Sequence, residues 1–345
     1  MIEFRIETKA NELNNTNLAL TQFHSYHTMI CKVYGHQLFY IKQVTDGRVT
    51  HILPVFLISY SFIRRKLISV PYDGSFGSVI YLENLESELS VEIYYRLFDL
   101  GKKLKADFIE IRSKGLNPLL DNLNLSKNTD LIIAELSRND IENSHLFVRK
   151  RKKDMNLANN HGAAISISNA YSDLIKYYQI MSSTMKEYGT PMYPFRYFSD
   201  LWKKYHHTNQ FILLKGQYEG KMVSGLILLV TQNVGIIKYS ATYPDYVKKR
   251  FYNAMYWKAI DLCLEKGCNI INFGTSFAYD EGLIKFKEGF AAKSIPLVAY
   301  SYEIKRKNKS FFEYNDKFKI IIEIWRKQPL FTSQLLGGLF WRWFC

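Results

Sequence analysis

Cysteine is scarce in this chain of 345 residues: Cys31, Cys263, Cys268 and Cys345 are the whole complement, and no two form a C-x-x-C pair. Cys263 and Cys268 flank Gly267 at a helix end with no histidine pair nearby. That pattern argues against a zinc site and a disulfide framework and for a reducing, cytoplasmic setting. Long hydrophobic runs are missing too. No stretch reaches the roughly 18 apolar residues of a membrane-spanning helix. The opening MIEFRIETKANELNN carries acids where a signal peptide has an apolar core. The 8 histidines are spread over the chain; none neighbours a G-x-S-x-G elbow and no H-E-x-x-H occurs, so neither a hydrolytic triad nor a bound metal is expected. No P-loop and no G-x-G-x-x-G follows a strand, which removes the commonest routes to ATP and dinucleotides.

What the chain does have is basic charge and length. Lys and Arg number 46 against 32 Asp and Glu, a formal net charge of +14 that suits an anionic partner: nucleic acid, a membrane surface or a phosphorylated substrate. The length suits two domains.

The chain also reads as though stated twice. LFYIKQVTDGRVTHILPVFLISY predicts a hairpin turning at Asp46-Gly47, and FILLKGQYEGKMVSGLILLVTQ repeats it around Glu219-Gly220. The first hairpin is followed by a strand at 66–71, a helix over 88–105 and the strand DFIEIRS. The second is followed by GIIKYSAT, a helix over 251–266 and NIINFG. LFDLGKKLKADFIEIR and AIDLCLEKGCNIINFG match in kind as well as in order. A duplication over residues 1–143 and 144–308 is therefore expected, each copy mixing sheet and helix, with a tail at 309–345.

Between the copies, HLFVRKRKKDMNLANNHG predicts a helix stopping at Gly162. Its consecutive cations Arg149 to Lys153 wrap around the axis, and two readings stand, a solvated junction or an anion-facing helix. The tail spaces Phe318, Ile321, Ile322 and Trp325 as a helix does, then ends in an aromatic stretch with Gly337-Gly338. Here too two readings stand: peripheral contact with a membrane through residues 318–344, at its inner face, or packing across the two copies.

Several segments carry a family resemblance. SSTMKEYGTPMYPFRYFSDLW is similar to the R-L-G-T-P-x-x-P-x-x-F-F stretch of FemAB-like proteins, relatives of the Fem-type aminoacyltransferases that build peptidoglycan cross-bridges. FYNAMYWKAIDLCLEKGCNIINFGTS resembles the family's run of an Asn, a Tyr-Trp and F-G-R-S, here Asn253, Tyr256, Trp257 and Phe273 to Ser276. GLIKFKEGF resembles G-T-Y-x-F-K-x-x-F-G. YGHQLFYI, ILPVF and LISVPYDGSFGSVI resemble the N-terminal stretches, and IIIEIWRKQPLFTSQLLG resembles the closing W-x-x-L-P of an exopolysaccharide-associated subgroup. The resemblance implies an α/β fold with mixed sheets, built as two tandem GNAT-like domains with a C-terminal helical tail, the second domain being catalytic. It also implies an acyltransferase: an acyl or aminoacyl group passes from acyl-CoA or aminoacyl-tRNA, as co-substrate and not as a tightly bound cofactor, to an amine of a cell-envelope or sugar precursor. Two departures stand out. Thr275 replaces the arginine of F-G-R-S, and SATYPDYVKKR lacks the glycine-rich pyrophosphate loop of acetyl-CoA enzymes.

Acyl transfer to an amine needs a held carbonyl, donors for its oxyanion and removal of a proton. The catalytic candidates are Lys287, which aligns with the family's F-K lysine, Tyr239, and Gly274 with its backbone donors. Expected substrate contacts are Tyr188, Thr190, Tyr193, Asn253, Trp257, Thr275, Ser276, Lys285 and, in the first copy, Asp73. Ser276 reads as a cap for the following turn in preference to a nucleophile, and Lys285 and Lys287, two apart, cannot both face one cleft. Lys248, Lys249 and Arg250 precede a helix N-terminus, an unfavourable place for cations unless they hold donor phosphates. The rival reading is a non-catalytic RNA- or envelope-binding module that keeps the duplicated fold.

Overall fold

In the computed structural model both hairpin turns adopt the left-handed backbone that a two-residue connection demands. Asp46 and Gly47 have φ of 49° and 79°, and Glu219 and Gly220 have 48° and 77°. The structure describes residues 1–14, 17–59, 64–69, 71–72, 78–82, 88–142, 145–305 and 322–344; Asp73, Phe318 and Ile321, named above, lie outside them. The first copy contains β1 (Ile2–Glu7), α1 (His24–Tyr34), β2 (Gln37–Thr45), β3 (Arg48–Ser59), β4 (Arg65–Ile68), β5 (Ile80–Tyr81), α2 (Glu92–Lys103), β6 (Phe108–Lys114), α3 (Pro118–Asp121) and β7 (Ser126–Ser137). Two helices join the copies, α4 (Arg138–Glu142) and α5 (His145–Asn160), the latter closed by Gly162 at φ 74°. The second copy contains β8 (Ala164–Ser168), α6 (Tyr171–Glu187), α7 (Phe195–Tyr205), β9 (Phe211–Tyr218), β10 (Lys221–Val230), β11 (Val234–Thr242), α8 (Phe251–Glu265), β12 (Ile270–Phe277), α9 (Glu281–Glu288) and β13 (Lys293–Glu303). A C-terminal helix spans Leu330–Phe344.

Among the described residues the sheet follows the order β1-β2-β3-β4-β6-β13-β7-β12-β11-β10-β9-β8, with β5 paired to β3 off this path. The order is a palindrome in kind. Each copy runs antiparallel through its first four strands and then parallel across a helix, β4 to β6 over α2 and β11 to β12 over α8. The final strand of each copy is exchanged. β7 pairs with β12, β13 pairs with β6, and the two exchanged strands pair with each other at the centre. Periodicity announces a strand but not its partner, so this exchange is new information from the structure.

Helices cover both faces, as a mixed sheet with two apolar faces requires. α2 covers the first copy and α8 the second, each with its own core. On the other face α1, α6 and α7 share one core that crosses the copies, where Tyr26 meets the Tyr197 hydroxyl at 3.0 Å and Ser25 meets that of Tyr205 at 2.7 Å.

Candidate active site

β11 and β12 are neighbours only briefly. Their parallel pairing joins Val234, Gly235 and Ile236 to Ile270, Ile271 and Asn272, and then the strands part. β11 continues along β10 to Thr242, while β12 follows β7, with a bulge between Asn272 and Thr275. The local cause is chemical. Gly274 takes φ 71°, a conformation cheap only for glycine, and its N–H donates to Asn272 Oδ1 at 2.7 Å, so neither group serves a sheet ladder. Asn272 is fully buried and donates in turn to Glu135 Oε1 at 3.1 Å on β7; Glu135 Oε2 accepts from Lys114 Nζ at 2.6 Å.

Lys287 pins the bulge from the other side. It is 3% exposed, and its Nζ donates to the carbonyls of Gly274 and Thr275, both at 3.0 Å. Burial lowers its pKa to about 8, Asp280 opposing the shift. Two of the three ammonium N–H groups are thereby used, and one has no protein partner among the described residues. Lys285 on the same helix points to solvent and pairs with Glu281 at 3.0 Å. Gly274 N–H, expected as an oxyanion donor, is occupied by Asn272, whereas Lys287 keeps one N–H beside the bulge.

On the α8 side the wedge floor is aromatic. Tyr256 packs among Phe273, Phe286 and Phe290, and its hydroxyl meets Ser240 Oγ on β11 at 3.2 Å. Tyr256 is not among the site residues expected from the sequence; the Tyr-Trp pair carries the signal, but the expectation falls on Trp257. Trp257 is fully buried, donates from Nε1 to Asp154 Oδ2 of α5 at 3.0 Å and packs on Phe290. It is a core residue, since the next residue along a helix turns about 100° away from its neighbour. Ser276 is likewise corrected: it lies inside β12, 5% exposed and opposite Ile132, and the cap of α9 is Asp280, whose carboxylate accepts from Leu283 N at 3.0 Å. Thr275 is half-buried in the same strand opposite Ile133.

At the open end, the turn Pro244–Lys249 delivers Arg250 at φ 63° to the start of α8, which has no side-chain cap. Lys248 and Arg250 are exposed, whereas Lys249 is half-buried and lies 4.0 Å from the centre of the Tyr218 ring, a cation–π contact. Asn253 is half-buried in the first turn of α8. Tyr252 accepts from Thr242 N at 3.1 Å, tying α8 to the end of β11. Burial raises its pKa to about 12, with nearby Tyr188, itself exposed, adding to the rise. Tyr188 thus lies near the start of α8, the region that carries Lys248, Arg250 and Asn253.

Tyr239 does not join them. Side chains alternate along a strand, and while Ser240 faces α8, Tyr239 packs among Tyr193, Tyr197 and Phe198 on the α6–α7 face. Tyr193 is buried and stacked on Trp341 of the C-terminal helix at 4.4 Å, and half-buried Thr190 donates its N–H to Met185 O. Tyr193 is thereby covered by the C-terminal helix.

The separating parallel strands, the lysine at the bulge and the uncapped helix all fall in one segment. Residues 214–298 match the model of the FemAB family. The FemAB resemblance read from the motifs therefore holds where the wedge is built. Solved structures match the fold over most of the chain. "Crystal structure of FemX" superposes with a TM-score of 0.66 at 13% identity, covering 92% of this chain and 100% of that one. "The structure of L-PGS from Bacillus licheniformis" gives 0.58 at 11%, covering 94% and 98%. A "Tandem GNAT protein from the clavulanic acid biosynthesis pathway" gives 0.54 at 7%, covering 90% and 100%. The fold is the tandem GNAT type, mixed α/β. No curated protein matches the chain in sequence.

Proposed function

We propose that the chain is a transferase that moves an acyl or aminoacyl group, from acyl-CoA or aminoacyl-tRNA, onto an amine of a cell-envelope or polysaccharide precursor. The observation that carries this reading is the wedge between β11 and β12 with Lys287 held at its bulge, inside the segment that matches FemAB. Parting strands open a slot in which a carbonyl can lie, and the remaining Lys287 N–H is a donor in a water-poor setting, where an oxyanion gains most. The amine attacks directly; buried Ser276 is no nucleophile. The mouth formed by the α8 N-terminus, Lys248 and Arg250 supports a phosphate-bearing donor. The match of residues 214–298 to the FemAB family supports an aminoacyl donor, as the motif resemblance implies.

The test is a thermal-shift screen with CoA, acetyl-CoA and aminoacyl-tRNA, followed by transfer of a labelled acyl group to candidate amines. A ligand that binds the native state raises Tm in proportion to the logarithm of its concentration. Stabilisation by one donor class is expected. Lys287→Ala should lower transfer at least about 100-fold, the range of a lost oxyanion donor, while K248E/R250E should mainly raise KM. Lack of stabilisation by every donor, with transfer unaffected by Lys287→Ala, rejects the reading.

A further inference from the structure

The C-terminal helix has one face locked and one face bare. On the locked side, Gly337 meets the Met192 carbonyl so closely that any Cβ would collide, and Gly338 packs on Pro194. Trp341 Nε1 donates to Pro191 O at 2.9 Å, and Gln334 Nε2 donates to Ser182 Oγ at 3.0 Å. These contacts fix the helix in rotation. On the bare side stand Phe331, Leu335 and Leu339, which are 72%, 64% and 52% exposed, and Leu336 beside them. Spaced four apart, the three make a single stripe about 12 Å long. Scattered exposed apolar residues are ordinary, but a contiguous row held outward by its own packing is not.

Charge borders the stripe. A groove of about 400 Å³ between α1 and this helix is lined by Lys32, Val33, Pro194, Leu335, Gly338 and Leu339. Lys32 is exposed and stands near Lys204 of α7, whose pKa is lowered by partial burial and by the Lys32 charge. Neither lysine is in an ion pair among the described residues. Two like charges beside a bare apolar row call for an anion and a hydrocarbon together. A second copy of this chain would bring the lysines and a net charge of +14 against themselves. An acidic lipid surface satisfies both demands.

We propose that this face is a membrane foot: Phe331, Leu335 and Leu339 enter the acyl boundary of an anionic bilayer while Lys32 and Lys204 meet headgroup phosphates. The helix lies in the interface and does not cross, since no helix among the described residues is long and apolar enough to span. Trp341 stacks on Tyr193, which is 5.2 Å from Tyr239 of β11, so the foot is one ring-layer from the strand that forms the wedge. The inference goes beyond the transfer reading and stands whether or not that reading survives.

The test is cosedimentation of the full chain with sucrose-loaded vesicles of phosphatidylcholine, with and without phosphatidylglycerol. Binding to anionic vesicles is expected, weakening as salt is raised and the charges are screened. Phe331→Ser/Leu335→Ser/Leu339→Ser, with circular dichroism and melting as in the parent, should lower partitioning at least about tenfold. K32E/K204E should lower it by about as much on anionic vesicles alone. The inference is overturned if the parent stays in the supernatant with anionic vesicles. It is equally overturned if the triple variant partitions as the parent does, or if sedimentation shows a parental dimer that the triple variant dissolves.

Discussion

At the residue scale the proposed site turns on Lys287, a buried lysine placed where water is largely absent. Burial lowers its pKa in the fold to about 8 against 10.5 unfolded. Between those values the unfolded chain binds more protons than the folded one, so stability rises with pH across that window. Below pH 8 the cost of holding the cation is fully present; above 10.5 it is relieved. The span is on the order of 3 kcal/mol. Chemical denaturation from pH 7.5 to 10.5 should show this rise in the parent and not in Lys287→Met; parallel curves would mean that the lysine is not desolvated. The sequence pointed to this lysine through its motif; helix geometry says that Lys285 and Lys287 cannot both face one cleft, yet both stand as candidates, and the structure turns Lys285 to solvent. The sequence could not show that Gly274 N–H is consumed by Asn272, because Asn272 reads as one more residue of an apolar strand. It also could not tell Tyr256 from Trp257, because only the packed neighbours, Ser240 for one and Asp154 for the other, distinguish a floor residue from an anchor.

At the scale of elements, turn chemistry was the most legible feature. Asp46-Gly47 and Glu219-Gly220 are local solutions to a local problem, because each residue must take positive φ whatever surrounds it. A Cβ on Gly47 or Gly220 would meet nothing within 4 Å, so replacement by alanine tests backbone conformation alone. Each should cost about 1 kcal/mol, read as a drop in denaturation midpoint with unchanged m. A much larger loss at one of them would show that its hairpin touches more than this structure holds. The wedge was half legible. NFGTS reads as a strand running out at Gly274, with Ser276 capping the next turn. In fact β12 passes through a bulge and continues to Phe277, and Asp280 makes the cap. A bulge depends on the register of β12 against β7, which no local pattern encodes.

For the whole molecule the deciding fact is the exchange of β7 and β13. Each is the last strand of its own copy and pairs only within the other half or with its exchanged mate. Alone, residues 1–143 would leave β7 unpaired and β6 with an open edge, a recipe for aggregation. We therefore expect 1–143 and 144–345 to be insoluble or disordered when expressed apart and to form a one-to-one complex when co-expressed. Two separately soluble, cooperatively melting halves would contradict the exchange. The same scale governs the tail. Its aromatic composition left packing across the copies and membrane contact both standing, and the structure shows how one helix can do the first with one face and leave the other free. Its packed face touches α6 of the second copy, and α1 and β3 of the first.

What the sequence determined by itself was everything set by neighbours along the chain: the two hairpins, the strand-helix-strand run in each copy, the repetition of that order, and the motif that leads to Lys287. These follow from backbone conformation, periodicity and side-chain type, which act over a few residues. The tertiary structure alone decided which strand lies beside which, since every residue but proline offers the same N–H and C=O to a partner and only the closure of the whole sheet chooses. From that choice came the parting of β11 and β12, the company that Lys287 keeps, and the face that the last helix turns outward.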